Sequence, residues 1–267
     1  MFQQYKVIDA HCHIYPDKIA EKASESTGHF YDIPMCLDGK ISTLLEHGQG
    51  AGIDHFLVQS VATTPKQVSS INNFIATSVA QSDGNFTGLG TLHPDSEDIL
   101  ADVEEIITLG LKGVKLHPDI QKFKLDDFRM LKIYELCEGR LPLLIHTGDN
   151  RYDFSNPNRL IPILDIYKNL TVIGAHFGGW SIWEEATEKL CKYENFYVDS
   201  SSSLYAITPE KAKKLIEADG ADRVLFGTDY PMWHPAEELE RFMQIDLSEK
   251  EREDILYNNT AKLFGIK

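Results

Sequence analysis

The sequence predicts a distorted (β/α)8 barrel, the TIM-barrel architecture, with a short insertion after the first strand. Three observations lead there. Strand-like apolar runs alternate with helix-like segments along nearly all of the 267 residues, a length typical of one such barrel. Six histidines and one aspartate stand where an apolar run ends and a turn begins: His11 and His13 in KVIDAHCHI, His93 in GLGTLHPD, His117 in GVKLHPD, His146 in LPLLIHTGD, His176 in TVIGAHFGG and Asp229 in RVLFGTDYP. Their rhythm is regular: 24 positions separate His93 from His117, then 29 lead to His146 and 30 to His176, and the 53 on to Asp229 hold two more units. Apolar runs closed by Gly, Pro or Asp read as strands of a parallel sheet buried on both faces, so the polar tips share one rim.

Each element has its own reason. Strand 1 is expected over residues 6–14 and strand 2 over 55–61. A helix opens near Thr64-Pro65, with proline in the first turn where its missing N–H does no harm, and runs to about Gln81. Strand 3 (86–92) leads into a helix capped by Asp95 or Ser96, in which Ile99, Val103, Ile106 and Ile107 have helical spacing. Strand 4 (113–116) precedes a helix over 126–137, strand 5 (143–146) one over 158–167, and strand 6 (171–175) one over 183–193. Strand 7 (196–200) precedes a helix over 209–218, and strand 8 (223–228) is followed by two, 235–243 and 248–264. A doubly wound open sheet would also alternate, but it calls for a Gly-rich phosphate loop after strand 1, and DAHCHIYPD has none. Residues 24–39 fit no barrel element and read as a loop or small lid over the rim, or an oligomer contact.

Composition narrows the function. One domain over residues 1–267 is expected, with 42% hydrophobic and 25% charged residues in the ordinary globular range. A formal charge of −15 argues against nucleic acid and anionic membrane as partners, since both need a basic surface. The N-terminus shows no secretory leader, and no apolar stretch reaches the roughly 18 residues of a membrane span. Cys12, Cys36, Cys137 and Cys191 are scattered without CxxC spacing, as free thiols in a reducing compartment would be, so a cytoplasmic protein is expected.

The chemistry lies at the strand ends. On a regular strand Asp9, His11 and His13 point to one face, which in a barrel is the interior and, at the C-terminal end, the active-site mouth. Barrel closure brings His146, His176 and Asp229 over the same opening, giving the three or four N/O donors of a catalytic Zn²⁺ with a position left open. A divalent ion lowers the pKa of bound water towards about 7, and Asp229 would orient that water and take its proton. In a decarboxylase variant the ion and His176 would polarise the substrate while carbon is protonated and CO₂ leaves.

The set IDAHCHIYP, GVKLHP, PLLIHTG, NLTVIGAHFGGW, VLFGTDYP and NNTAKLFGI, spread over nearly the whole chain, resembles the amidohydrolase superfamily, above all its amidohydrolase-2 branch of metal-dependent hydrolases and decarboxylases. The resemblance implies that His11, His13, His146 and Asp229 hold one divalent ion, zinc by expectation. It places His176 beside the ion as acid/base, as electrostatic stabiliser or as ligand to a second ion.

Lys115 has three readings: a carboxylated bridge between two metals, a contact for an anionic substrate group, or a buried lysine paired with Asp9 or Asp199. Arg151, just beyond His146, offers its fork to a substrate carboxylate or pairs with Asp149 or Asp153. His117 and His234 are further substrate-binding candidates, and His93 either lines the mouth or bonds to its own loop. Trp180, Trp183, Tyr230 and Trp233 either wall an apolar pocket or pack the helices. Cys12 is expected to face the helix layer as an inert thiol. The leading expectation is a hydrolase of an amide, ester or lactone of a small molecule. The alternative is a non-oxidative decarboxylase of an aromatic or unsaturated carboxylic acid. A nuclease is disfavoured by the acidic charge, and a purely structural metal site by the surplus of ionisable groups. The lid-like insertion is compatible with a homodimer, though the sequence leaves the oligomeric state open.

Overall fold

The computed structural model describes residues 4–267. Among them nine short strands follow one another: β1 (Ile8–His13), β2 (His55–Gln59), β3 (Phe86–Gly88), β4 (Gly90–Thr91), β5 (Val114–Leu116), β6 (Leu143–Ile145), β7 (Val172–Gly174), β8 (Phe196–Asp199) and β9 (Val224–Leu225). All pairings are parallel, in a sheet β1-β2-β3 and a sheet β4-β5-β6-β7-β8-β9. The third strand expected from the sequence is therefore split at Leu89. Its N–H still donates to the Val58 carbonyl at 2.9 Å, while Gly90 N–H reaches Gly113 at 2.9 Å, so the two sheets stay joined. The glycines flanking the split are sterically required: a Cβ on Gly88 would lie 2.7 Å from Leu111, and one on Gly90 2.7 Å from Ile106.

The last strand meets the first without a regular ladder. Ala10 N–H donates to the Phe226 carbonyl (2.8 Å) and His13 N–H to Tyr230 (2.7 Å), and Cys12 and Tyr230 form an isolated parallel bridge. With β3 and β4 counted as one position, eight positions run from β1 round to β9, the order the sequence predicts.

One side-chain direction departs from that reading. Asp9 pairs with Phe56 but Cys12 with Val58, so three residues of β1 are spent against two of β2, which is a bulge. The bulge reverses the alternation. Ala10 joins the interior cluster of Leu57, Leu89, Leu144, Ile173 and Leu225, whereas Cys12 falls in the larger cluster under the helices. Asp9 consequently does not share the face of His11 and His13. It accepts from the Thr228 N–H (2.9 Å), the Thr228 hydroxyl and the His11 N–H (3.1 Å), and so ties the first strand to the last. Cys12 is fully buried, and burial raises its thiol well above the usual range, which makes it inert. Each fully buried Leu or Ile of these clusters contributes about 1.5–3 kcal/mol.

Helices follow the strands with shifted ends. Val68–Ala80 extends a 3₁₀ turn at Pro65–Gln67. Ile99–Thr108 is capped by Asp98 rather than Asp95 or Ser96, because the Asp98 carboxylate accepts from Ala101 N–H at 3.0 Å. Pro235–Met243 has the expected bounds, whereas the closing stretch is divided into Glu249–Glu253, a π-helical turn Asp254–Asn258 and Asn259–Phe264.

The insertion after strand 1 is only partly a loop: residues 32–40 form no element, but the stretch before them is helical. A helix runs from Ala20–Tyr31, and a second, Ile41–Ala51, precedes β2. The first buries Ala20, Ser24 and Gly28, spaced by four, so a stripe of small residues lets it sit close to the barrel. A Cβ on Gly28 would come within 2.8 Å of the Ile33 carbonyl.

Candidate metal centre and active site

Three donor atoms converge at the rim where β1 and the chain beyond β9 meet. His11 Nε2 lies 3.2 Å from His13 Nε2 and 3.4 Å from Asp229 Oδ1, and His13 Nε2 lies 3.7 Å from the same oxygen. Donors about 2.0–2.1 Å from a tetrahedrally held ion stand about 3.3–3.4 Å apart, so this spacing suits a small divalent cation. Hydrogen bonding gives an independent test of fit. His11 Nδ1 lies 2.8 Å from Asp199 Oδ2, both side chains being buried, and so carries the proton. Its Nε2 is left as a lone pair, aimed at His13 Nε2.

Protonation states agree with this. Burial, followed by the neighbouring imidazole of His11, holds His13 well below the usual histidine range, so it is neutral. Burial alone would raise Asp229, but His11 and His176 outweigh it, with help from the Ser202 hydroxyl, and keep the carboxyl below its ordinary value. Neutral imidazoles and an ionised carboxylate are the forms that bind a metal.

His176 stands beside the triad, its ring stacked on His11 at 5.2 Å. Its Nδ1 is 3.0 Å from the Ser201 carbonyl, which fixes the proton there and leaves Nε2 as an acceptor. Burial pushes it down to about 4. Both His176 (φ 62°) and Asp229 (φ 60°) have left-handed backbone, uncommon for such residues and concentrated at functional sites.

His146 shares the floor but is turned aside from the triad. Its Nδ1 faces His176 Nε2 at 3.0 Å, while its Nε2 lies 3.6 Å from Asp119 and has no hydrogen-bond partner. It stacks on His117 at 4.1 Å. Lys115 follows the interior register of β5 and sets Nζ 3.1 Å from His11 Nε2, with 1% of its surface exposed. Burial, resisted by Asp199 and Asp229, pushes it down to about 8. Its neighbours are thus the ligand cluster and Asp199, not Asp9.

The inserted helix brings in a residue the sequence reading missed. The Tyr31 hydroxyl lies 2.6 Å from His117 Nε2 and 3.4 Å from His146 Nδ1. Asp199 and Ser201 are likewise positioning groups: Asp199 Oδ1 accepts from the N–H groups of His176 (3.1 Å) and Ser201 (3.0 Å). The signal for Asp199 was its place at the end of a strand; Tyr31 had none while its segment read as a loop.

Two substrate-binding candidates lie elsewhere. Arg151 forks onto Asp149 (2.9 and 2.7 Å) and donates to the Phe30 carbonyl (3.0 Å), so its guanidinium is already satisfied. His234, the residue before the helix Pro235–Met243, pairs with His47 at 3.0 Å. Neither lines the cavity. Of the four rim aromatics, Trp183 bonds Ser203, Trp233 bonds Ser202, Tyr230 donates to the Lys40 carbonyl, and Trp180 packs on Tyr31, so all serve packing. His93 is buried and accepts from Asp95 N–H at 3.2 Å, bonded to its own loop.

Above the donors opens a cavity of about 500 Å³. His11, His13, Lys115, His117, His146, His176 and Asp229 line its floor, and Ile19, Ala23, Phe30, Ile71, Phe74 and Met232 its walls. A parallel barrel with a metal-competent His/Asp cluster at one mouth is an arrangement suited to metal-assisted catalysis. The chain belongs to the amidohydrolase family Amidohydro_2, whose family model matches residues 8–266. A curated relative, 2-amino-3-carboxymuconate-6-semialdehyde decarboxylase of Dictyostelium discoideum, is 26% identical over 242 residues, covering 73% of this chain and 66% of the relative. The chain thus spans just under two thirds of that relative's length. A TIM-barrel protein from Bordetella bronchiseptica superposes with a TM-score of 0.82 at 22% identity, over 97% of this chain and 98% of the other. A dihydroxybenzoic acid decarboxylase from Polaromonas sp. JS666, solved with bound manganese and the inhibitor 2-nitroresorcinol, gives 0.76 at 18% identity, over 98% and 97%. Among the described residues no helix is long and apolar enough to cross a membrane.

Proposed function

We propose that the protein is a metal-dependent, non-oxidative decarboxylase of a small aromatic or unsaturated carboxylic acid. The observation that carries this reading is a floor of metal-competent and cationic groups, His11, His13, Asp229 and Lys115, beneath walls that are largely apolar. Such a site binds an acid at its floor, where a metal ion and a proton donor can act on it, and holds the rest of the molecule against carbon. The curated relative and the Polaromonas structure are both named as decarboxylases, which supports this reading over the hydrolytic one that leads from sequence alone.

His11, His13 and Asp229 would hold the ion, and we propose that His146, which here faces His176 and Asp119, turns to join them; the ion we propose is zinc, with manganese as the comparison because a neighbour carries it. When bound, a divalent ion supplies a Lewis acid that anchors substrate oxygens and draws electron density from the scissile C–C bond. His176 Nε2, the acceptor end of a neutral imidazole, takes a proton from a substrate hydroxyl or water and returns it to the carbon that loses its carboxylate. The balance is RCO₂⁻ plus one proton giving RH and CO₂. Lys115 offers its ammonium to the carboxylate, and Tyr31 holds His117 and His146 in place from the lid. Four unpaired cysteines support a cytoplasmic setting, and a homodimer stays part of this proposal.

The test is CO₂ release from hydroxybenzoates by protein loaded with Zn²⁺ or Mn²⁺. His176→Gln should lower kcat by about 100-fold or more with metal content unchanged. Turnover of esters or lactones with no CO₂ from any acid would overturn the reading.

A further inference from the structure

We infer that the cavity selects acids with one carboxylate and an apolar distal part, and discriminates against acids that carry a second carboxylate there. The reaction assumed is the decarboxylation proposed above; the selectivity rests on the cavity walls alone. Away from the floor the cavity runs between the helices Ala20–Tyr31 and Val68–Ala80, where Ile19, Ala23, Phe30, Ile71 and Phe74 face it. Among the described lining residues Lys115 is the one side chain with an ammonium or guanidinium, and it belongs to the floor.

The serine and threonine hydroxyls in the walls cannot substitute for a cation, because their protons are committed. Ser26 donates to the Lys22 carbonyl (2.8 Å), Thr27 to Ala23 (3.2 Å), Ser70 to Gln67 (3.0 Å), and Ser60 to Ile14. Thr63 donates to Gln67 Oε1 at 2.9 Å. These oxygens therefore present lone pairs to the cavity, and the donors that remain, the Gln67 amide NH₂ and the Tyr15 hydroxyl, are both neutral. Arg151, the nearest guanidinium by sequence to the floor, is held by Asp149 and the Phe30 carbonyl. A distal carboxylate would have to lose water against carbon and lone pairs, which is costly without a partner. An alkyl or second ring there would gain by burial.

The experiment compares 4-ethylbenzoate with benzene-1,4-dicarboxylate, binding to metal-loaded protein by calorimetry. Each places one carboxylate on the floor; they differ at the far end. The mono-acid should bind about tenfold more tightly or better. Ser70→Arg, at an exposed position of the cavity wall with no part in the metal cluster, should strengthen dicarboxylate binding by about tenfold relative to 4-ethylbenzoate. Equal or tighter binding of the dicarboxylate to the wild type, or binding of neither acid, would overturn the inference. Because this readout needs no turnover, a preserved preference without CO₂ release would sink the decarboxylase reading and leave the selectivity standing.

Discussion

Asp199→Asn tests whether the cluster is built to hold a metal or merely to pack. Asp199 Oδ2 accepts from His11 Nδ1 at 2.8 Å, while Oδ1 accepts from the N–H groups of Ser201 and His176. Asparagine can keep Oδ1 in its place, but it then sets an NH₂ against His11 Nδ1. To avoid two facing donors, His11 must move its proton to Nε2, the atom that faces His13 and Asp229. The lone pair a metal needs is lost in that tautomer. Loss of such a supporting partner costs 10–100-fold in metal affinity, or about 1.4–2.7 kcal/mol, and the forced tautomer puts this variant at the upper end. The assay is competition with a chromophoric chelator for Zn²⁺ and Mn²⁺, on protein shown folded by circular dichroism, with Asp219→Asn as a buried-acid control. A folded Asp199→Asn protein that binds either ion as the wild type does would refute the reasoning.

Two predictions concern stability. Asp219 is buried with neither carboxyl oxygen hydrogen-bonded, and burial raises it to about 7. A raised folded-state pKa means that its contribution is fully present below about pH 4 and lost as pH rises through about 7, a swing of up to about 4 kcal/mol. Asp219→Asn should therefore melt several degrees above the wild type at pH 8, the gap shrinking towards pH 4; a gap independent of pH would count against it. Gly148 has φ +97°, and a Cβ there would lie 2.2 Å from the Trp180 nitrogen, forcing apart the turns that follow His146 and His176. Gly148→Ala should cost about 3 kcal/mol or more in thermal unfolding and lower activity, whereas Gly110→Ala (φ +76°, nothing within 4 Å) should cost about 1–2 kcal/mol and leave activity intact.

What the sequence could convey about this fold depends on how each residue is placed. His11, His13, Lys115 and His146 are set by strand register and by parallel order, both of which leave periodic marks in a sequence, and they do meet on one floor. Asp9 obeys the same alternation on paper but is reversed by a bulge, because an extra residue is absorbed between its pairing with Phe56 and that of Cys12 with Val58. His176 and Asp229 lie at strand ends as read, yet their side-chain directions come from positive φ, which nothing in GAHFGG or GTDYP dictates. The inserted helix escaped because its buried stripe is Ala20, Ser24 and Gly28: contacts made by small residues carry no hydrophobic signal. That omission hid the most consequential part of the site. The helix supplies Tyr31 to the imidazole pair and Ile19, Ala23 and Phe30 to the cavity wall, so the ligands follow from the barrel while selectivity is written on an element attached to it. Chains sharing the strand-end histidines can accordingly differ in substrate without any change at the metal, which is why the walls, not the ligand set, are where this protein's specificity must be sought.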